Sequence, residues 1–498
     1  MSSKLERINK FIDSKKIYVG LFIFYIIMYV ILELNLESVK LYVLRGIKIS
    51  IIFLVITGLN ILYNSIFYKK ENDNSVFKLI CMVFIAGILL RLLRIYSLPW
   101  DMYQHDVNFE YGHMDYIKYI VNNNSLPEIN TYQFYHSPLH HIIAAIWIKV
   151  NLLFKVDEVK AIEGIQYLTA FYSTVVMIVS YKIFKIIGFK DKILLLSTSL
   201  IATAPTFIIL ASSLNNDMLM IMCIFICILY CIKWHKEPTF KNIIILAFAL
   251  GFGMMAKVNA VLIAVTIGIL FLIKLVNSKN LLNIDLWKQY FLFAFISIPL
   301  GMWHSIRNMI KCNQPLGYVM KLSENSRLYV GNHSLKERFF SFDFINNVIK
   351  NPQCLPYDEY NLATYTIKSS MLNEYLPNYK GELITVLLIL NTLMILFSLM
   401  ALIYVFIEVR ENLIINFIMG SVWIVQVVSF IYFNIKYPFG CTMDFRYIVP
   451  TLLTGITFLC IAADHIIKNK TTLWKKINFI FSSVCLGFIC TSIVIYTL

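Results

Sequence analysis

The sequence predicts an all-α polytopic membrane protein: a bundle of about 12–14 transmembrane helices with two large extracytoplasmic loops that carry short interfacial helices. Three observations predict it. Hydrophobic residues make up 59% of the 498 residues, and mean hydropathy is +0.70. Charged residues are 15%, against about a quarter in soluble domains. Apolar runs near the ~20 residues needed to span a bilayer recur along the chain, and only two connections between them are long.

The N-terminal stretch carries Lys4, Arg7, Lys10, Lys15 and Lys16, which places it in the cytoplasm by the positive-inside rule. Apolar runs at 17–34 and 49–68 follow. Because such runs continue throughout, the first is expected to start the bundle and not to be a removable signal peptide. Segment 79–95 leads into the first long loop, 96–136. Arg91 and Arg94 lie near its end, where they are expected to reach the interface. Segments 137–155, 163–187, 193–211, 214–233, 242–256, 257–275 and 288–306 come next, followed by the second long loop, 307–383. Four more close the chain: 384–407, 412–434, 447–465 and 474–497.

The expected organisation is a cytoplasmic tail with two additional helices over 1–76 and a core over 77–306. The external loop 307–383 and C-terminal helices over 384–498 complete it. Counting crossings from the N-terminus puts loop 96–136 outside. Lys274 and Lys279 on the inside put loop 307–383 there too. Lys182, Lys185, Lys190 and Lys192 also ask for the inside, so one segment is expected to be re-entrant or interfacial. The short run 137–155 and the pair around Lys257 are the suspects.

A formal charge of +15 raises nucleic acid as a partner. The lysines lie in short runs between apolar segments, such as Lys69-Lys70 and Lys233 with Lys236, so membrane lipids are the expected partner instead. The ten cysteines form no CxxC pair. Cys223, Cys227 and Cys231 have helical spacing and read as packing; Cys312 and Cys354 share the second loop, where a disulfide is conceivable. The spans hold few ionisable groups, which argues against an ion-coupled transporter.

The densest chemistry lies in the first loop. Trp100-Asp101-Met102-Tyr103-Gln104-His105-Asp106 is followed by Glu110, His113 and Asp115. So many ionisable groups need water, so this stretch belongs at the membrane face. Asp106, Glu110 and His113 are spaced to share one side of a helix over 106–120. A carboxylate facing a cavity there suits a general base. The same three groups are donors for a divalent metal, a weak site to which His136 and His140 could add; no cofactor is firmly implied. The bland reading is a solvated loop face.

His136-Ser137-Pro138-Leu139-His140-His141 opens the next apolar run, with Pro138 suited to a first helical turn. Leu214-Asn215-Asn216-Asp217 punctuates two apolar segments, as a cap or as a second polar contact at the rim. Lys257 stands between two segments each short for a full span, so it must reach an interface or an anionic partner such as phosphate. Arg307-Asn308 ends a span and Asp444-Phe445-Arg446-Tyr447 opens a late one. Both read as interface anchors, although arginine's fork also suits phosphate.

The order of these pieces resembles the GT-C superfamily of membrane glycosyltransferases. The nearest resemblance is to bacterial members similar to dolichyl-phosphate-mannose protein mannosyltransferases and lipid A aminoarabinose transferases. His136-Ser137-Pro138-Leu139 matches a His-Pro-Pro-Leu-like motif, with Ser137 replacing the first proline. Asn215-Asn216-Asp217, Gly251 to Lys257, Arg307-Asn308, Asn313-Gln314-Pro315-Leu316 and Arg446-Tyr447 follow in the family's order over roughly 75–450. The family's first-loop Asp-Glu pair reads Asp106-Val107 here, and two extra spans precede the family's first.

The resemblance implies a GT-C-like fold and transfer of a sugar from a polyprenyl-phosphate-linked donor, with inversion, at the outer face of a cell membrane. The acceptor hydroxyl would belong to a protein, a lipid or a surface glycan. Asp106 is the implied catalytic base. Glu110, His113, His136, His140, Asn216, Asp217, Lys257, Arg307 and Arg446 are the implied substrate-binding residues, the cations holding the leaving phosphate. The competing readings are a surface-glycan polymerase or ligase using a lipid-diphosphate donor, and a transporter or flippase of lipid-linked sugars. A transporter needs polar groups through the membrane depth; here they gather at one face.

Overall fold

The computed structural model describes residues 14–67, 73–128, 131–372, 381–469 and 471–497. Lys4, Arg7 and Lys10, used above for orientation, and Lys69 and Lys70 lie outside them. The described residues form an all-α polytopic membrane fold. The only β-type pairing among them is an isolated antiparallel bridge between Tyr329 and Phe439.

The helices in order are α1 (Lys16–Tyr29, continued by a π-turn over Val30–Asn35), α2 (Lys40–Phe67), α3 (Asp73–Ser97), α4 (His113–Asn123), α5 (Leu139–Leu153) and α6 (Glu158–Ile187). Then come α7 (Asp191–Thr203), α8 (Pro205–Leu210), α9 (Asp217–Lys236), α10 (Phe240–Ala256), α11 (Leu262–Asn277) and α12 (Ile284–Cys312). The chain finishes with α13 (Leu335–Phe339), α14 (Leu362–Leu372), α15 (Gly381–Glu408), α16 (Leu413–Lys436), α17 (Pro450–Asn469) and α18 (Thr472–Thr497). Among the described residues nine helices are long and apolar enough to cross a membrane. The apolar helices α5 and α10 are shorter.

Two breaks in apolar runs shape the site. The run 193–211 divides at Ala204, whose backbone turns extended (ψ 122°) before Pro205 restarts a helix. Proline has no N–H to continue the ladder, so carbonyls at the end of α7 need other donors. Arg91 supplies one. Its Nη1 donates to the Ala202 carbonyl at 3.1 Å and to the Gly87 carbonyl at 2.8 Å, and its Nε donates to Ser173 Oγ. Arg91 is fully buried, so it does not reach the interface as its position near a helix end suggested. A missing internal partner draws it inward.

The second break is at Lys257. Its backbone is extended (φ −155°, ψ 130°), and a 3-10 turn over Val258–Val261 leads into α11. The Asn216 side chain donates to the Ala256 carbonyl at 2.7 Å, and Lys274 Nζ donates to the His235 carbonyl. The start of α9 therefore meets the end of α10, and the ends of α9 and α11 meet. Helices α10 and α11 form a hairpin with Lys257 at its tip. Two glycines let α10 lie tightly on α12. A Cβ at Gly251 would fall 2.7 Å from Leu300, and one at Gly301 would fall 2.7 Å from Met254.

The N-terminal helix α1 packs on α6 through aromatic and polar contacts. Tyr25 Oη bonds Thr174 Oγ1 at 2.6 Å, and Tyr167 Oη donates to buried Glu33 at 2.9 Å. Cys223, Cys227 and Cys231 are buried and free, in line with packing. Cys312 and Cys354 are also free thiols, so the disulfide considered above is not formed. Cys354 packs with Tyr365 and Met443.

Candidate active site

The two long loops line one cavity of about 690 Å³. The first loop contributes residues between Asp101 and His136. The second contributes residues between Gln314 and Tyr357, and the hairpin tip and the segment before α17 complete the wall.

The first loop is not the helix expected over 106–120. Helix α4 begins only at His113. Tyr103, Asp106 and Tyr111 all take left-handed backbone conformations (φ 57°, 56° and 62°), which non-glycine residues adopt rarely. This coils the chain so that the Asp106 carbonyl accepts from His113 N–H at 2.8 Å, capping α4. Gly112 fits because a Cβ there would meet the Val107 carbonyl at 2.6 Å. Gln104 ties the loop down. Its Nε2 donates to the Ser212 carbonyl at 2.8 Å, and its Oε1 accepts from Leu214 N–H.

Four charged side chains from distant positions meet at the cavity. Arg446 Nη2 donates to Asp106 Oδ2 at 3.0 Å, and Arg446 Nη1 lies 3.8 Å from Asp217 Oδ2. Asp217 Oδ1 accepts from Lys257 Nζ. Lys257 and Arg446 both stand over the Tyr447 ring, at 5.1 and 5.3 Å, a cation–π arrangement. Asp217, Arg446 and Lys257 side chains are 1%, 6% and 8% exposed, whereas Asp106 is 35% exposed. Asp106 is thus the accessible end of the chain of charges. Burial works against the Arg446 charge, but Tyr447, Asp106, Asp217 and Asp444 outweigh it and hold its pKa above the ordinary arginine value. Asp444 also accepts from Arg446 N–H at 2.8 Å and lies 3.7 Å from His105.

Of the residues singled out in the sequence, Asp106, His113, His136, Lys257 and Arg446 line the cavity, with Asp217 directly behind. Four others do not line it. Glu110 is exposed on the outer side of the loop, because the left-handed turns destroy the helical register that aligned it with Asp106. His140 is buried, and its Nε2 donates to the Leu214 carbonyl at 2.9 Å, spent on joining α5 to the turn before α9. Asn216 is spent on the end of α10. Arg307 donates to the Leu126 and Pro127 carbonyls at 3.3 and 3.0 Å and to Asn308 Oδ1, pinning the first loop to α12. The metal grouping of Asp106, Glu110 and His113 does not form; among the described residues no three His, Cys, Asp or Glu groups are placed to hold a metal. Asp101 does line the cavity.

Sequence reasoning missed Gln104 as a tether and Asp444 as the cap that aims Arg446. The Asp-x-Arg spacing at 444–446 was the available signal for the second. Behind His113 and His136 lie His140, His141 and His304. Burial pushes the His113 and His136 imidazoles well below their usual pKa, assisted by neighbouring imidazoles, Lys257 and Arg446. Both are neutral near neutral pH.

Residues 136–303, about a third of the chain, match the family model described as dolichyl-phosphate-mannose-protein mannosyltransferase. The resemblance to dolichyl-phosphate-mannose protein mannosyltransferases read from the sequence is borne out over that segment. Similar solved structures include ArnT from Cupriavidus metallidurans bound to undecaprenyl phosphate, at 13% identity and a TM-score of 0.36, covering 78% of this chain and 81% of that one. The Archaeoglobus fulgidus oligosaccharyltransferase aligns at 10% identity and a TM-score of 0.43, over 86% of this chain and 56% of that one. No curated protein matches the chain.

Proposed function

We propose that this chain, on the strength of its match to the dolichyl-phosphate-mannose-protein mannosyltransferase model, is a membrane glycosyltransferase. It moves a sugar from a polyprenyl-phosphate-linked donor to an acceptor hydroxyl at the outer membrane face, with inversion. The observation that carries the reading is one cavity in which an accessible carboxylate, Asp106, stands beside two buried cations, Arg446 and Lys257.

The acceptor oxygen attacks the anomeric carbon while Asp106 removes its proton through the oxygen that Arg446 does not hold. The phosphate leaves toward Lys257 and Arg446. Lys257 has three donors and gives one to Asp217, so two remain for phosphate oxygens. Asp106 and Asp217 already pair with the two cations, and Asp444 adds a third carboxylate beside Arg446. The electrostatics therefore favour a phosphodiester with one negative charge over a lipid diphosphate with more.

The direct test uses purified protein in lipid nanodiscs with a short-chain polyprenyl-phosphate sugar and candidate acceptors, reading product stereochemistry. Inverted glycoside is expected. Transfer from only the lipid-diphosphate sugar would favour the polymerase or ligase reading; donor movement across a vesicle membrane without chemistry would favour a flippase.

The reading also places both loops outside the cell, with the N-terminus in the cytoplasm. Cysteines engineered at Asn123 and Asn332, both exposed, should react with a membrane-impermeant maleimide on intact cells. Reaction of either only after permeabilisation would overturn that orientation.

A further inference from the structure

The two imidazoles on the cavity wall have no assigned task beyond contact with substrate. His113 is the better placed for one. Its Nδ1 lies 2.9 Å from Nε2 of buried His141. Its ring stacks near that of His136 (5.5 Å, 15°) and near that of His141 (5.2 Å, 14°), and Tyr116 stacks on His141 at 4.2 Å. The orientation of the ring is therefore locked.

The pair also defines where the protons sit. The His141 Nδ1 is enclosed and makes no hydrogen bond, and the backbone group that acts on the imidazole is the Ser137 carbonyl. A carbonyl only accepts, which favours the His141 tautomer with its proton on Nδ1 and a lone pair at Nε2. In that tautomer His113 donates from Nδ1–H to His141, which leaves Nε2 of His113 bare. His113 lines the cavity, and its Nδ1 edge is the one that His141 engages.

Resting on the glycosyl-transfer reading, we propose that His113 is a second catalytic residue, a proton carrier that clears Asp106 and returns the proton to the departing phosphate. The acceptor O–H bond breaks and its electron pair forms the new bond to the anomeric carbon. The carbon–oxygen bond to phosphate breaks, and that pair stays on the phosphate. The proton passes through Asp106 to Nε2 of His113, where the Nδ1–H bond to His141 stabilises the imidazolium. It then moves to a phosphate oxygen, giving a lipid phosphate with one proton and one negative charge. No further reactant is needed. Lys257 and Arg446 face His113 and oppose its positive charge, which makes the imidazolium short-lived and drives the proton onward. His136 and His140, the other titratable groups facing it, are neutral neighbours that add no competing negative charge.

The test has two arms. In the resting protein, ¹⁵N-imidazole spectra, assigned with His113→Asn, should show His113 neutral with its proton on Nδ1. His141→Asn keeps an acceptor for that proton and should keep the tautomer, whereas His141→Leu should lose it. A proton on Nε2 of His113 overturns the proposal whatever the protein catalyses.

In the assay, His113→Ala should lower turnover by about 10²–10⁴-fold with donor affinity unchanged, and added imidazole should restore part of it. His141→Leu should slow transfer far more than His141→Asn. Unchanged turnover in His113→Ala overturns the carrier role alone. A loss that tracks loss of donor binding and ignores imidazole does the same. Failure of the wild-type protein to transfer sugar from the lipid-phosphate donor removes the underlying reading, and the carrier role with it.

Discussion

Replacing Asp106 with asparagine should lower the rate of sugar transfer by about 10²–10⁴-fold while leaving donor affinity intact. Asparagine keeps the volume and an oxygen for Arg446 but cannot take a proton. Arg446 keeps Asp217 at 3.8 Å and the Asp444 cap, so its place on the wall does not depend on Asp106 alone. Removing one of three acids around two cations also leaves the cations less neutralised. Donor binding should therefore be unchanged or tighter, opposite to what local unfolding would give. Asp101 lines the same cavity but makes no ion pair with Arg446 or Lys257, and Asp101→Asn should change transfer little. Measured together, turnover and donor affinity separate the roles. A fall in both for Asp106→Asn would mark it as structural. Loss in Asp101→Asn with transfer kept in Asp106→Asn would exchange the two.

What the sequence made legible follows from the range of the forces involved. Apolar runs set the helices, and α15, α16, α17 and α18 appear close to where hydropathy placed them. The contrast between apolar runs and the acid-rich stretch after residue 96 marked the cavity's first wall. Side chains decided by a distant partner were misread. Arg91 looked like an interface residue until the break at Ala204 exposed a carbonyl for it, and Arg307 looked like a phosphate clamp until the backbone at 126–127 claimed it. Glu110 failed for a local reason: the left-handed Asp106 turn is invisible to a periodicity that assumes a helix. Asp106, Asp217, Lys257 and Arg446 lie as far as 340 residues apart. Only the order of the motifs hinted that they would meet.

Lys257 is more than a cation offered to phosphate, because it belongs to the buried ion chain. Lys257→Met removes the direct partner of a carboxylate that is 1% exposed. Stranding one member of a buried pair typically costs about 3–5 kcal/mol. Arg446 still reaches Asp217 Oδ2, so a value near the lower end is expected, seen as a clear fall in the melting temperature of the detergent-solubilised protein. Donor affinity should fall as well, by about 10–100-fold for the loss of a charge-assisted phosphate contact worth roughly 1.5–3 kcal/mol. The two effects separate in a double variant. Asp217→Asn with Lys257→Met removes the stranded charge along with its partner, leaving Asp106 and Arg446 paired, and should recover most of the stability. It restores no cation to the hairpin tip, so donor binding should stay weak. If the double variant regains both, Lys257 serves only to neutralise Asp217, and Arg446 alone receives the phosphate. If it regains neither, the Asp217–Lys257 pair holds the α9–α10 junction in a way that an amide and a thioether cannot replace.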